Sequence, residues 1–205
     1  MNLKQFMNHK FLRYIIILAF FYYLPVILIL LGIVPFSFRF QMLLIVTALL
    51  AVYSAIHGHN LRSLGFRTDT LKISLLWNGA LSALFVGILM FLYYKGLIRE
   101  PSVPSWRFFY FFFIFISSPS QEFLYRSIHF AEMKEAGIKS PIAMIGISAI
   151  TYCFLHAIYH DLITLIATLF MGIIWGTIYY RKPNFWGVAL SHAVVGAIAI
   201  AVGLI

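Results

Sequence analysis

The chain predicts an all-α fold, a polytopic integral membrane bundle of about seven transmembrane helices with its N-terminus on the cytoplasmic side. Three observations carry this. Hydrophobic residues make up 62% of the sequence and charged residues only 10%, with 18% aromatic, a balance far from that of a soluble globular domain. Apolar runs on the order of 20 residues, each long enough to cross a bilayer, recur along the whole length. Basic residues gather in alternate loops. With 205 residues there is no room for a separate soluble domain, so residues 1–205 are read as one transmembrane domain, with a motif-bearing core at about 107–205.

The first run, Tyr14–Val34, follows a short basic stretch. It is too long for a signal-peptide core and lacks a small-residue cleavage site, so it is read as a span. Met42–Ile56 is the shortest run, and Ile73–Tyr94 is the third. Arg99–Pro104, with two prolines, reads as an outer loop. The fourth span, Arg107–Phe130, is followed by Pro141–Ile158, whose outer end is marked by His160 and Asp161. In the sixth, Leu162–Tyr180, Gly172 and Gly176 lie one turn apart and form a small face on which a neighbouring helix can pack closely. Phe185–Ile205 is the last.

With the N-terminus inside, the inner segments hold Lys4, Lys10, Arg13, Arg62, Arg67, Lys72, Lys134, Lys139, Arg181 and Lys182, ten in all. Four lie outside: Arg39, Lys95, Arg99 and Arg107. This asymmetry is the ordinary explanation of the formal charge of +9, and it excludes a nucleic-acid partner as the reason for it. Cys153, alone inside an apolar run, has no partner for an internal disulfide. His57-Gly58-His59 has the look of a metal clip but falls in an inner loop, where interfacial histidines need no special role.

Glu122 is the residue an apolar chain should not carry, because an ionised carboxylate at that depth costs several kcal/mol or more. Arg126 lies four residues on, on the same helical face, where it can neutralise the charge. His156 and His192 fall in later spans. Counted from the inner ends at about 1.5 Å per residue, all three reach the middle of a core about 30 Å thick. They are therefore expected to meet around one water-accessible cavity. Pro119, just before the glutamate, removes a backbone donor and is expected to open space there.

At these positions the chain resembles the CPBP intramembrane proteases, also called the CAAX protease and bacteriocin-processing, or Abi, family. The motifs read Gln121-Glu122-Phe123-Leu124-Tyr125-Arg126, Tyr152-Cys153-Phe154-Leu155-His156, Phe170-Met171-Gly172 with Gly176, and His192-Ala193-Val194-Val195-Gly196. The resemblance covers roughly Pro119 to Gly196. It implies a helical membrane endopeptidase that works without a covalent acyl-enzyme, with Glu122, His156 and His192 as catalytic residues and Gln121, Arg126, Tyr152, Gly172 and Gly196 in support.

Two positions depart from the family pattern. Gln121 stands where the family has the first, water-activating glutamate, and Gly196 stands where it has Asn or Asp. Glutamine can hydrogen-bond a water but cannot accept its proton, so Glu122 takes the role or the chain is an inactive relative acting as a membrane scaffold or regulator. No cofactor is expected; zinc on Glu122, His156 and His192 is the competing mechanism. The implied partners are the lipid bilayer and a membrane-anchored protein or peptide, such as a prenylated or lipidated C-terminus, a peptide precursor, or a sorting signal of the kind that myxosortase-like relatives process. The expected location is the cytoplasmic membrane of a bacterium or archaeon. A small transporter built on the same buried ionisable groups is the third class, disfavoured by the lack of a repeated half.

Overall fold

The computed structural model describes residues 9–98 and 106–204, with side chains described from Phe109 in the second segment. Lys4, the Arg99–Pro104 loop and the Arg107 side chain lie outside the described residues. Every described element is helical. Helix α1 spans His9–Leu30, with a π-helical stretch at Leu18–Tyr23. Helix α2 spans Arg39–Ile56 after a 3₁₀ turn at Phe36–Phe38, and α3 spans Leu71–Tyr94. Helix α4 runs without a break over 106–135, through two π segments at Phe113–Ser117 and Phe123–Ile128. Helix α5, Pro141–Leu155, ends in a 3₁₀ turn, His156–Tyr159; α6 is Leu162–Arg181 and α7 is Phe185–Ala201.

Five of these helices are long and apolar enough to cross a membrane, namely α1, α2 with its 3₁₀ turn, α3, α5 with its 3₁₀ turn, and α6; α7 is apolar but shorter. The chain is an integral membrane protein. Large apolar side chains face outward along the bundle, among them Phe20, Leu49, Leu84 and Ile166, as lipid in place of water allows.

The main packing pairs are α5 with α6, α3 with α7, and α7 with the middle of α4. Glycine makes the α5–α6 contact close. A Cβ on Gly172 would lie 3.1 Å from Ala149 Cα and 3.3 Å from a ring carbon of Tyr152, and one on Gly176 would lie 3.5 Å from Ile145. The small face read from the sequence therefore packs on α5.

Helix α4 exceeds its expected span by five residues at its C-terminal end, where Glu132 is buried and bound by Arg13 and Tyr53. Helix α5 with its 3₁₀ turn ends one residue past the expected span, and His156 opens that closing turn. Asp161 then caps α6 by accepting from the Thr164 backbone N–H at 3.0 Å.

The basic loops meet at one end of the bundle. The α2–α3 loop joins the start of α7 through Phe185 N–H to Gly65 carbonyl, 2.9 Å, and Asn184 Nδ2 to Arg67 carbonyl, 2.8 Å. Beside them Asp69 accepts from Arg67 and Arg62, and the Arg67 hydrogen bond first, then the charge of Arg62, hold its carboxyl down at about 2. Gly65, at φ +83°, passes so close to Tyr179 that a Cβ would lie 3.0 Å from its Cε2.

Candidate active site

Gln121 and Glu122 sit on a single α-helical turn, Ser118–Glu122, held between the two π segments of α4. A π-turn shifts the hydrogen-bond register by one residue. Pro119 comes two residues after the first of them, so its missing N–H falls where the register is already changing and the helix continues through it. Such turns are frequent at functional positions.

Glu122 is fully buried. Its Oε1 accepts from His192 Nδ1 at 2.8 Å, and its Oε2 faces Arg126 Nε at 3.5 Å. Arg126, also fully buried, donates from Nη1 to Ser148 Oγ at 3.0 Å and to the Tyr125 carbonyl at 3.2 Å. Its guanidinium carbon stands 5.1 Å from the centre of the Tyr152 ring. Ser148 in turn donates to the Tyr125 carbonyl at 2.7 Å. The carboxylate is thus held by one cation a turn along the same helix and one imidazole from α7, as a buried charge requires.

His192 is fixed on both ring nitrogens. With Nδ1 on the carboxylate, Nε2 meets the Tyr152 hydroxyl at 3.2 Å. Trp175 stacks on the imidazole, centroids 4.7 Å apart and planes 23° apart, and donates its indole N–H to Ser191 Oγ at 3.0 Å. Ser82 of α3 donates to the same Ser191 oxygen. Trp175 was not singled out from sequence. The available signal was an indole N–H in mid-span between Gly172 and Gly176, which needs a partner when buried.

A cavity of about 550 Å³ opens at the end of the bundle opposite the basic loops. Phe36, Arg39, Tyr159 and Asp161 line its mouth side, and Gln121, Ser117, Phe113 and His156 its inner wall. His156 Nδ1 donates to the Tyr152 carbonyl at 2.9 Å, and its ring meets the Tyr152 ring edge-on at 4.8 Å. Gln121 Nε2 donates to Ser117 Oγ at 3.1 Å, while its Oε1 has no protein partner.

The expected single meeting point is therefore divided. Glu122 and His192 are in direct contact and closed off, with His192 only 3% exposed. His156 and Gln121 line the cavity, and Tyr152 stands between the two pairs. The cause is α4 itself: adjacent helical positions point about 100° apart, so Gln121 and Glu122 cannot face the same way. For a zinc ion on Glu122, His156 and His192, the Tyr152 hydroxyl would have to leave His192 Nε2 or the Glu122–His192 bond would have to open, while His156 already keeps Nε2 free with its Nδ1 on the backbone.

Gly196 also has a physical account. A Cβ there would meet Phe113 Cζ at 2.6 Å, so the phenylalanine ring fills the space in front of this position.

Residues 103–198 match the family model described as type II CAAX prenyl endopeptidase Rce1-like. No curated protein and no solved structure matches the chain. The matched segment contains the whole arrangement, from the Gln121-Glu122 turn through His156 and Trp175 to His192 and Gly196. Over this segment, a little under half of the chain, the sequence is similar to the Rce1-like CAAX proteases.

Proposed function

We propose that the chain is an intramembrane endopeptidase that hydrolyses a peptide bond in a membrane-anchored protein or peptide, with Glu122, His156 and His192 as its catalytic residues. The observation that carries this is the hydrogen-bonded line Glu122–His192–Tyr152 lying directly behind a cavity whose wall holds His156 and Gln121.

In a neutral His156, the proton on Nδ1 is committed to the Tyr152 carbonyl, which leaves the lone pair on Nε2 to take a proton from water. Gln121, on the same cavity wall, hydrogen-bonds that water through its amide and aims it. Glu122 supplies the negative charge that stabilises positive charge developing on His192 and, through Tyr152, beside His156. Activation of water runs through side chains, without a metal. Tyr152, Arg126, Gly172 and Gly196 hold the catalytic groups in register.

The cavity wall is mostly apolar, with phenylalanines from α2 and α4, and suits a membrane-embedded segment. With the basic end in the cytoplasm, the cavity opens outward. That favours an externally presented segment, such as a C-terminal sorting signal, over a prenylated cytoplasmic C-terminus.

A second reading rests on Gln121. It occupies the cavity wall with an unpartnered oxygen, and an amide there fits an inactive relative that binds a membrane partner without cutting it. Purified chain in lipid vesicles, presented with membrane-anchored peptides, separates the two. Cleavage by the parent chain that is lost in His156→Ala supports the protease; binding without cleavage supports the scaffold.

A further inference from the structure

At the basic end of the bundle, 78 residues of chain separate His57 from a glutamate that stands beside it. His57 Nε2 lies 3.5 Å from Glu135 Oε2, and His59 Nε2 lies 3.3 Å from Glu135 Oε1. All three ligand atoms fall within 4.8 Å of one another. Tetrahedral ligands about 2.0–2.1 Å from an ion stand roughly 3.3–3.5 Å apart, the distance of each imidazole from one Glu135 oxygen, and a small turn of the side chains closes the remaining spread.

We infer that His57, His59 and Glu135 form a site for a divalent transition-metal ion of the zinc class, separate from the Glu122 site and from the proposed protease chemistry.

His59 is the second line of support. Its side chain is only 1% exposed and its Nε2, pointed between Glu132 and Glu135, makes no hydrogen bond. A buried imidazole nitrogen 3.1 Å and 3.3 Å from two carboxylate oxygens, hydrogen-bonded to neither, is costly unless a cation or a proton sits on it. Gly58, at φ +82°, provides the left-handed turn that brings His57 and His59 onto one side, ring centres 5.4 Å apart. His57 and Glu135 are about one-third exposed, so the ion has an entry path, and water completes its shell.

Arg13 is the neighbour that any ion must accommodate. It bonds Glu135 Oε2 at 2.7 Å and contacts His57 Nε2, but its Nε and Nη2 both also reach Glu132 Oε2, at 3.3 and 3.2 Å. On metal binding Arg13 releases His57 and stays on Glu132. The carboxylate of Glu132, fixed also by Tyr53 at 2.8 Å, faces the same His59 nitrogen at 3.1 Å and adds its negative charge beside the ion. The ion would tie the α2–α3 loop to the end of α4, the helix that carries Gln121 and Glu122.

The test uses full-length, tag-free chain in detergent, stripped by a chelator and titrated with Co²⁺ and Zn²⁺. One equivalent of Co²⁺ should bind with the visible d–d absorption of a low-coordinate nitrogen–oxygen site, and Zn²⁺ should displace it. His57→Ala and Glu135→Gln, both at partly exposed positions, should each weaken binding by at least about 10- to 100-fold while elution and helical content stay as in the parent. His156→Ala should bind as the parent does. No stoichiometric uptake by the parent, uptake that persists in both variants, or uptake that requires His156 would each overturn the assignment. None of these outcomes depends on peptide cleavage, so the site can fail without the protease reading failing.

Discussion

The ring of Phe113 stands in the space that a side chain at Gly196 would need, with its Cζ 2.6 Å from the place of the missing Cβ. The same ring lies edge-on to His192, centroids 6.0 Å apart. The place that a polar side chain takes in the family pattern is filled here by a ring from α4 that packs on His192.

Gly196→Asn is accordingly expected to destabilise the bundle by about 1–3 kcal/mol through overpacking. Adding Phe113→Ala should recover part of that loss, although Phe113→Ala alone leaves a void. Thermal unfolding in detergent of the two single variants and the double variant reads the coupling; strictly additive losses would contradict the contact.

Arg126→Ala should lower the yield of folded protein, since it leaves Glu122 buried without its cation and typically costs about 3–5 kcal/mol. Glu122→Gln in the Arg126→Ala background should restore part of this, because no buried charge is then left. Equal stability of Arg126→Ala and the parent chain would show that the 3.5 Å pair carries no charge compensation.

The spans were legible because hydrophobic runs of bilayer length have few other readings. Glu122, Arg126 and His192 were legible because charge in such a run requires a partner, and they are each other's. What the sequence concealed depends on backbone detail. The two π segments of α4 leave no signature in hydropathy, yet they help to decide that Gln121 and not Glu122 turns to the cavity. The change from α to 3₁₀ at the end of α5 puts His156 in the closing turn. Glu132 and Glu135 carry no signal of their own in the sequence, and only the fold brings His57, His59 and Arg13 to them from distant positions.

Trp175→Phe keeps the stack on His192 and removes the N–H that binds Ser191, so it should cost only about 1 kcal/mol and leave cleavage near the parent rate. Trp175→Ala opens a void beside the imidazole. It should cost about 3–5 kcal/mol and lower cleavage further than instability alone explains. Comparing turnover per folded molecule in the two variants isolates the positioning role.

Gln121→Glu puts a carboxylate on the cavity wall beside His156. Activity should stay or rise, and under the scaffold reading cleavage should appear where the parent has none. A clear loss of cleavage in a folded Gln121→Glu protein would show that the wall at this point does not handle the attacking water.

The most direct measurement is a comparison of protein termini in membrane fractions from cells lacking the chain and cells carrying the parent, Glu122→Gln or His156→Ala. His156→Ala is the cleaner variant, since it leaves the Glu122–His192–Arg126 contacts intact. The account predicts new termini at membrane-anchored proteins with the parent chain, reduced about 100- to 10,000-fold in rate in both variants while folded protein remains in the membrane. The same termini at the same rate in the two variants, or none with the parent, would contradict it.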